Sequence, residues 1–178
     1  MTVTVTPTLA DTDEWTVVTT PVGDMMVIGD DEVVRFVHLP DSFTERHFAP
    51  ERAGSPKAVR AAVEQIDAYF AGALTEFSLP LEPAGTDFQP RVWFALAAIP
   101  YGTTESYGQL ATRVGNPKAC RAVGLANGRN PLPLVLPCHR VIGANGSLTG
   151  YGGGLDLKKR LLDHERDTVA SSGGRRAS

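Results

Sequence analysis

Residues 82–85, Glu-Pro-Ala-Gly, separate two stretches of chain whose patterns demand different architectures. Before them, β-branched runs alternate with turn residues; after them, helix-start signals recur. The charge changes sign at the same place. Residues 1–85 carry 14 acidic and 5 basic side chains, whereas residues 86–178 carry 6 and 12. A chain of 178 residues with 42% hydrophobic and 21% charged residues can bury one sizeable core or two small ones, and nothing in this composition signals a fibre or a disordered chain. Two domains are therefore expected, 1–81 and 86–167, joined by the linker 82–85 and followed by a disordered tail over 168–178. An acidic and a basic half suggest different partners, the basic one suited to a polyanion. A solvated basic surface is the plain alternative.

Within the first half, WTVVTTPVGDMMVIGDDEVVRFVHL (15–39) reads as strands joined by tight turns at Pro21–Asp24 and Gly29–Asp31. Lys57 to Ala71 places Val59, Ala62, Val63, Ile66 and Phe70 at helical spacing and stops at Gly72, which predicts an amphipathic helix on that small sheet. Thr75–Leu81 is expected to add a strand. The first twenty residues lack the basic start and apolar core of a signal peptide, and no apolar run, that around Phe94–Ile99 included, is long enough to span a bilayer, so a cytoplasmic protein without membrane attachment is expected. Cys120 and Cys138 form no CxxC pair, and with His38, His47, His139 and His164 they do not group as structural zinc ligands, so no metal is expected.

The second half opens with two matches to the capping box, Thr86–Gln89 and Ser106–Gln109. The first predicts a helix through Val92, Phe94, Leu96 and Ile99, ended by Pro100-Tyr-Gly102. The second predicts a short helix over Tyr107–Val114, stopped at Gly115-Asn-Pro117, with a third helix from Lys118 to about Ala126. Two short helices around a glycine-containing turn make a helix-turn-helix candidate. KACRAVGLAN (118–127) is almost entirely small residues apart from Lys118, Arg121 and Leu125. Such a helix either packs tightly on a neighbour or is thin enough to enter a narrow groove with one long cation projecting. Beyond the turn at Gly143–Gly146, the glycines of LTGYGGG (148–154) would let backbone pass close to a ligand or form a flexible loop. Leu155–Glu165 predicts a last helix with Leu161 and Leu162 facing inward.

Cys138 lies in LVLPCHRVI (134–142), and a cysteine in an apolar run is commonly a small buried hydrophobe. His139 adds a base, Arg140 adds positive charge that favours thiolate, and Pro137 stiffens the approach, which together suit an activated nucleophile. Adjacent strand residues face opposite ways, so Cys138 and His139 cooperate only if the chain turns there or a water bridges them. Glu165 is a carboxylate able to orient the imidazole.

Across Thr86–Glu165 the ordered motifs IPYGTTESYGQLA, RAVGLANGRNP, PCHRVIG, LTGYGGG and LLDHE resemble the C-terminal domain of the O6-alkylguanine-DNA alkyltransferases, with PCHRV as that family's active-site signature. The first half resembles the family more loosely, through TTPVGDMMVIG and AYFAG. The resemblance implies a ribonuclease-H-like α/β N-terminal domain of small sheet plus helix, and a mostly helical C-terminal domain of winged helix-turn-helix type. It implies repair of O6-alkylguanine, and of O4-alkylthymine, by flipping the base from duplex DNA and moving the alkyl group irreversibly to Cys138, once per molecule and without a cofactor. His139 would be the base acting through a water, Glu165 its orienting carboxylate and Asn130 the brace of the active-site turn. Tyr107 would crowd the target phosphate, and Arg121 would fill the vacated stack from the minor groove beside Ala119, Ala122 and Gly124. Tyr107, Pro133, Val141, Tyr151, Gly152 and Gly153 would line the guanine pocket. Zinc-binding members use N-terminal Cys and His ligands, and here no cysteine precedes Cys120, so no zinc is implied. Cys120 stands where a small residue is usual and is read as packing, with its thiol a secondary target for alkylation. The partner implied is double-stranded DNA, bound by a protein that is a monomer when free and able to assemble cooperatively on DNA. A cysteine hydrolase with the same triad and a non-catalytic DNA-binding regulator are the rival readings.

Overall fold

The computed structural model describes residues 9–43 and 52–174. The start read for a targeting segment, His47, and the final residues 175–178 of the expected tail lie outside the described residues. By its contacts the chain divides into two compact units, Met1–Ala84 with Pro131–Pro133, and Gly85–Asn130 with Leu134–Ser178.

In the first unit, β1 (Glu14–Thr20) pairs antiparallel with β2 (Gly23–Gly29), which pairs antiparallel with β3 (Val34–His38), in the order β1-β2-β3. Gly23, at φ 123°, follows the two-residue turn in a conformation that L side chains rarely adopt. The β2–β3 register shifts after Ile28, where a Cβ on Gly29 would stand 2.2 Å from the Val33 carbonyl oxygen. Asp30 shapes that turn by accepting from the backbone N–H groups of Glu32 and Val33. Trp15, Met26 and Ile28 cluster on one face with Leu9, Val17, Phe36 and Phe43. Alternation sends Met25 and Val27 to the other face, so β2 is buried on both sides.

Helix α1 (Lys57–Phe70) packs on the sheet and buries Ala58, Val59, Ala62, Ile66 and Tyr69. Tyr69 replaces the expected Phe70 as the buried aromatic and stacks on Phe77. The strand expected over Thr75–Leu81 is a single bridge between Leu81 and Val34. Pro80 has no N–H to donate, and the Gln65 side chain takes both backbone groups of Ser78, leaving little for a ladder. Pro131–Pro133 clusters with this unit because Pro131 accepts from the open Val37 N–H of edge strand β3 at 2.9 Å, a placement the sequence boundary at 82–85 does not anticipate.

The second unit begins with α2 (Phe88–Leu96). Only half of its expected capping box forms: the Gln89 side chain accepts from the Thr86 N–H, and Gln89 N–H goes to the Thr86 carbonyl rather than its hydroxyl. The box at α3 (Tyr107–Arg113) is complete, with Ser106 and Gln109 satisfying each other's backbone N–H groups. A turn through Gly115, at φ 78°, leads to α4 (Cys120–Gly128), giving the helix-turn-helix. The Trp93 indole of α2 donates to the Ala126 carbonyl of α4 at 2.7 Å. Just ahead of α3, Glu105–Ser106 (β4) pairs in parallel with Val141–Ile142 (β5), which precedes the last helix.

Helix α5 runs over Gly154–Gly174, seven residues into the segment expected to be disordered. Thr168, Ser171 and Ser172 each donate to the carbonyl four residues back. Val169 packs on Gly102, where a Cβ would meet its methyl at 2.9 Å. Polar composition concealed this continuation, because hydroxyls bonded to the preceding turn are compatible with helix.

Candidate active site

Asn130, Leu134 and Pro137 shape the segment that carries the chemistry. Leu134 takes a left-handed φ of 75°, and the Asn130 amide donates to the Leu136 carbonyl at 2.7 Å, bracing the turn. Cys138–Arg140 is then one turn of 3-10 helix. Successive side chains on such a turn diverge by about 120°, so Cys138 and His139 escape the opposed facing of a strand.

Cys138 is buried at 4% exposure. Burial pushes its thiol up to about 11, with the Asn130 side chain and the Lys158 charge opposing the rise only in part. The sequence expectation of a charge-favoured thiolate is therefore corrected: at neutral pH the group is a thiol awaiting a base. Arg140 does not serve Cys138 at all. Its Nε and Nη2 donate to Glu165 at 2.9–3.1 Å, and its Nη1 donates to the Ile99 carbonyl at 2.7 Å.

Glu165, on α5, collects His139 Nε2 at 2.7 Å, the Arg140 guanidinium and the Gly102 N–H at 2.9 Å. Burial alone would raise its carboxyl, but the hydrogen bonds and charges of His139 and Arg140 prevail and hold it at about 2. With Nε2–H committed to this carboxylate, the imidazole tautomer is set. Nδ1 is buried, has no hydrogen-bond partner among the described residues, and so presents a lone pair. Burial also lowers the His139 pKa, more than Glu165 raises it, so the ring is neutral and able to take a proton.

Lys158 went unremarked in the sequence. It is fully buried and donates to the Val141 carbonyl at 2.6 Å and the Thr149 carbonyl at 2.8 Å, joining β5 to the glycine-rich segment. The signal was present: Lys158, Leu161, Leu162 and Glu165 fall on one helical face, so a stripe already read as inward-facing contains a cation and an anion. Tyr107 donates its hydroxyl to the same Thr149 carbonyl at 3.3 Å, and its ring faces Gly124, where a Cβ would stand 3.7 Å away. The Tyr151 hydroxyl is buried without a partner among the described residues; burial first, and then the negative charges that Glu165 carries and Cys138 acquires at high pH, raise its pKa well above the usual tyrosine value, keeping it a neutral donor.

Among the other expected site residues, Val141 is buried, Gly153 half-buried and Gly152 exposed, while Pro133 is buried and clusters with the first unit. On α4, Val123, Ala126 and Asn127 face inward, Ala119 and Gly124 are half-buried, and Arg121 and Ala122 are exposed. Cys120, expected to pack, is exposed, since the first residue of α4 lies outside the helix's buried stripe. Among the described residues no three His, Cys, Asp or Glu side chains gather as a metal site. No described helix is long and apolar enough to cross a membrane.

Comparison with known proteins falls on both units. Residues 14–83 match the ribonuclease-like domain of 6-O-methylguanine DNA methyltransferase, and residues 87–167 match its DNA-binding domain. A methylated-DNA–protein-cysteine methyltransferase of Mycolicibacterium paratuberculosis is 53% identical over 156 residues, 86% of this chain and 92% of that one. A protein of the same name from Methanosarcina acetivorans is 48% identical, over 82% of this chain and 93% of its own. The crystal structure of Mycobacterium tuberculosis OGT in complex with DNA superimposes with a TM-score of 0.78 at 46% identity, covering 87% of this chain and 94% of that one. With both domains matched in order and relatives near half-identical along most of their length, the chain belongs to the 6-O-methylguanine DNA methyltransferase family.

Proposed function

We propose that the protein repairs DNA by taking the alkyl group of O6-alkylguanine onto Cys138, as a methylated-DNA–protein-cysteine methyltransferase. The observation that carries this reading is the buried His139–Glu165 pair, 2.7 Å apart, which leaves an uncommitted imidazole lone pair on the residue following a buried thiol. Through one water, Nδ1 takes the thiol proton; the new thiolate attacks the alkyl carbon, a C–S bond forms and the C–O bond to guanine breaks. Glu165 stabilises the imidazolium as it appears. Donors at the guanine stabilise the departing base, among them the Tyr107 hydroxyl once it leaves the Thr149 carbonyl. The acceptor is the protein's own sulfur, so the step needs no cofactor.

An alkyl group on the guanine oxygen lies inside the duplex, and the nucleotide must leave the stack at a cost of about a few kcal/mol. Arg121 projects from the exposed side of α4 and fills the gap from the minor groove, with Ala119, Ala122 and Gly124 permitting close approach without reading sequence. Tyr107 turns the nucleotide outward, and Val141, Tyr151, Gly152 and Gly153 receive the base. O4-alkylthymine presents the same exocyclic ether and is the second substrate. The protein works as a cytoplasmic monomer that can gather cooperatively on DNA.

The product is a thioether, which lacks the electrophilic carbonyl that lets water release an acyl-enzyme, so each molecule reacts once. Duplex DNA carrying a radiolabelled O6-methylguanine, in excess over protein, is expected to place about one label per molecule on Cys138, by this single-nucleophile logic. Cys138→Ser is expected to take no label while binding DNA nearly as tightly. Sustained turnover would indicate a hydrolase, and binding without any label a regulator.

A further inference from the structure

The outward side of α4 holds a residue that neither the core nor the repair reaction accounts for. Leu125 is 58% exposed. Its neighbours on the exposed surface of the helix are Arg121 and Ala122 one turn before it and Gly128 and Arg129 one turn after, with Lys118 exposed just ahead of the helix. Val123, Ala126 and Asn127 occupy the opposite, buried side, so Leu125 cannot turn inward without rotating the helix off its core. An isobutyl group set among cations fits a surface that is apolar at its centre and anionic at its edges. The minor groove of duplex DNA has this character, with deoxyribose carbons along its walls and phosphates at its rims.

We propose that Leu125 is an apolar DNA-contact residue, packing on deoxyribose in the minor groove next to the position that Arg121 fills. The proposal rests on the reading of α4 as the helix that enters that groove. Four residues of helix span about 6 Å, so the leucine meets the groove wall roughly two base-pair steps from the flipped nucleotide. There it excludes water and holds the helix against the backbone whatever the sequence. Because sugars are common to every nucleotide, this contact adds affinity without base preference, which suits a lesion that arises at any guanine.

Salt dependence separates this contact from its charged neighbours. Full-length protein and the variants Leu125→Ala, Leu125→Met and Lys118→Ala, each carrying Cys138→Ser so that no transfer accompanies binding, are titrated with a duplex containing O6-methylguanine over a range of salt concentrations. Leu125→Ala is expected to raise Kd roughly five- to tenfold at every salt concentration with the slope of log Kd against log salt retained, since an apolar contact releases no counterion. Leu125→Met is expected to restore most of the affinity. Lys118→Ala is expected to flatten the slope by about 0.9. Unchanged affinity in Leu125→Ala, or a flattened slope, would overturn the proposal, as would an unaltered protein that sediments as a dimer and becomes monomeric in Leu125→Ala, since the leucine would then cover a second copy. If the unaltered protein takes label but Leu125→Ala binds normally, only the leucine assignment fails. If the unaltered protein neither binds duplex nor takes label, the reading of α4 fails with it.

Discussion

Each unit is organised around a charge cluster, and the two clusters are built in opposite senses. In the first unit one guanidinium, Arg35, is shared among Asp13, Asp30 at 2.9 Å and Glu82 at 2.9 Å. In the second unit one carboxylate, Glu165, is shared among Arg140, His139 and a backbone N–H. Arg35 joins the residue before β1, the β2–β3 turn and the stretch after Leu81, and the Glu82 side chain remains 64% exposed. Water reaches that cluster at its Glu82 end while Asp13 stays buried at the other, and its pairings tie segments of the fold together. Glu165 and His139 are wholly buried, and after all the pairing one basic nitrogen is left over. A cluster in which each group is spent on another holds structure; a dry cluster that keeps one lone pair can also move a proton.

The largest effect that would break this contrast lies in reactivity. His139→Gln can still donate to Glu165 but cannot accept a proton, and near neutral pH its transfer rate is expected to fall by about 10²–10⁴. The deficit is expected to shrink as pH approaches the Cys138 value of about 11, where thiolate forms unaided. A deficit of equal size at every pH, measured by single-turnover label transfer, would reduce His139 to a packing role. Arg35→Ala is expected to leave the rate of the folded protein unchanged; a rate loss there would erase the distinction between the clusters.

Stability comes next. Arg140→Ala leaves Glu165 buried without its full cation partner and is expected to cost about 3–5 kcal/mol in urea unfolding. Arg35→Ala, whose carboxylates keep water or backbone donors, is expected to cost about 1–3 kcal/mol. A reversed order would mean that exposure does not decide how much a cluster contributes.

Acid sharpens the comparison further. Asp30 and Glu165 both sit at about 2 in the folded chain, below their unfolded values near 4. Burial works against each, and hydrogen bonds win, from Val33 and Arg35 at Asp30 and from His139 and Arg140 at Glu165. A depressed carboxyl contributes stability that is fully present above about pH 4 and is lost as pH falls toward 2, so both clusters weaken there. His139 is also depressed by burial, and its contribution starts to fall below its unfolded value of about 6.5. Unfolding free energy is therefore expected to start declining as pH falls below about 6.5, ahead of the carboxylate losses. Burial lowers the His38 pKa as well, so the early decline should shrink in His139→Gln and persist in full in Arg35→Ala; an undiminished decline in His139→Gln would assign it to His38. The smallest expected change is Glu82→Gln, within about 0.5 kcal/mol, because an exposed pair is screened by solvent.

Much of the architecture was legible because local chemistry sets it. The Ser106–Gln109 box is written in four consecutive residues, and the hairpin from Trp15 to Gly29 follows from β-branched alternation around Pro21 and Val22. The pairing of His139 with Glu165 was also foreseeable, through the resemblance carried by PCHRV and LLDHE. Reading failed where a distant group decided the outcome. Ser78 is claimed by Gln65 from α1, so the expected strand dissolves; Arg140 is claimed by Glu165, 25 residues away, so it never serves the thiol.

What the sequence determined by itself is therefore the order of the hairpin and the main helices, the turn chemistry and the Ser106–Gln109 cap, the charge asymmetry of the two halves, and the residue types able to carry alkyl transfer. These depend on backbone preferences and side-chain chemistry within a few residues. Tertiary structure alone decided the direction of the Cys138 shift, the tautomer of His139, the burial of Lys158 and the exposure of Leu125. Each of those depends on which groups exclude water from which, and desolvation is a property of the packed chain that no local stretch of residues contains.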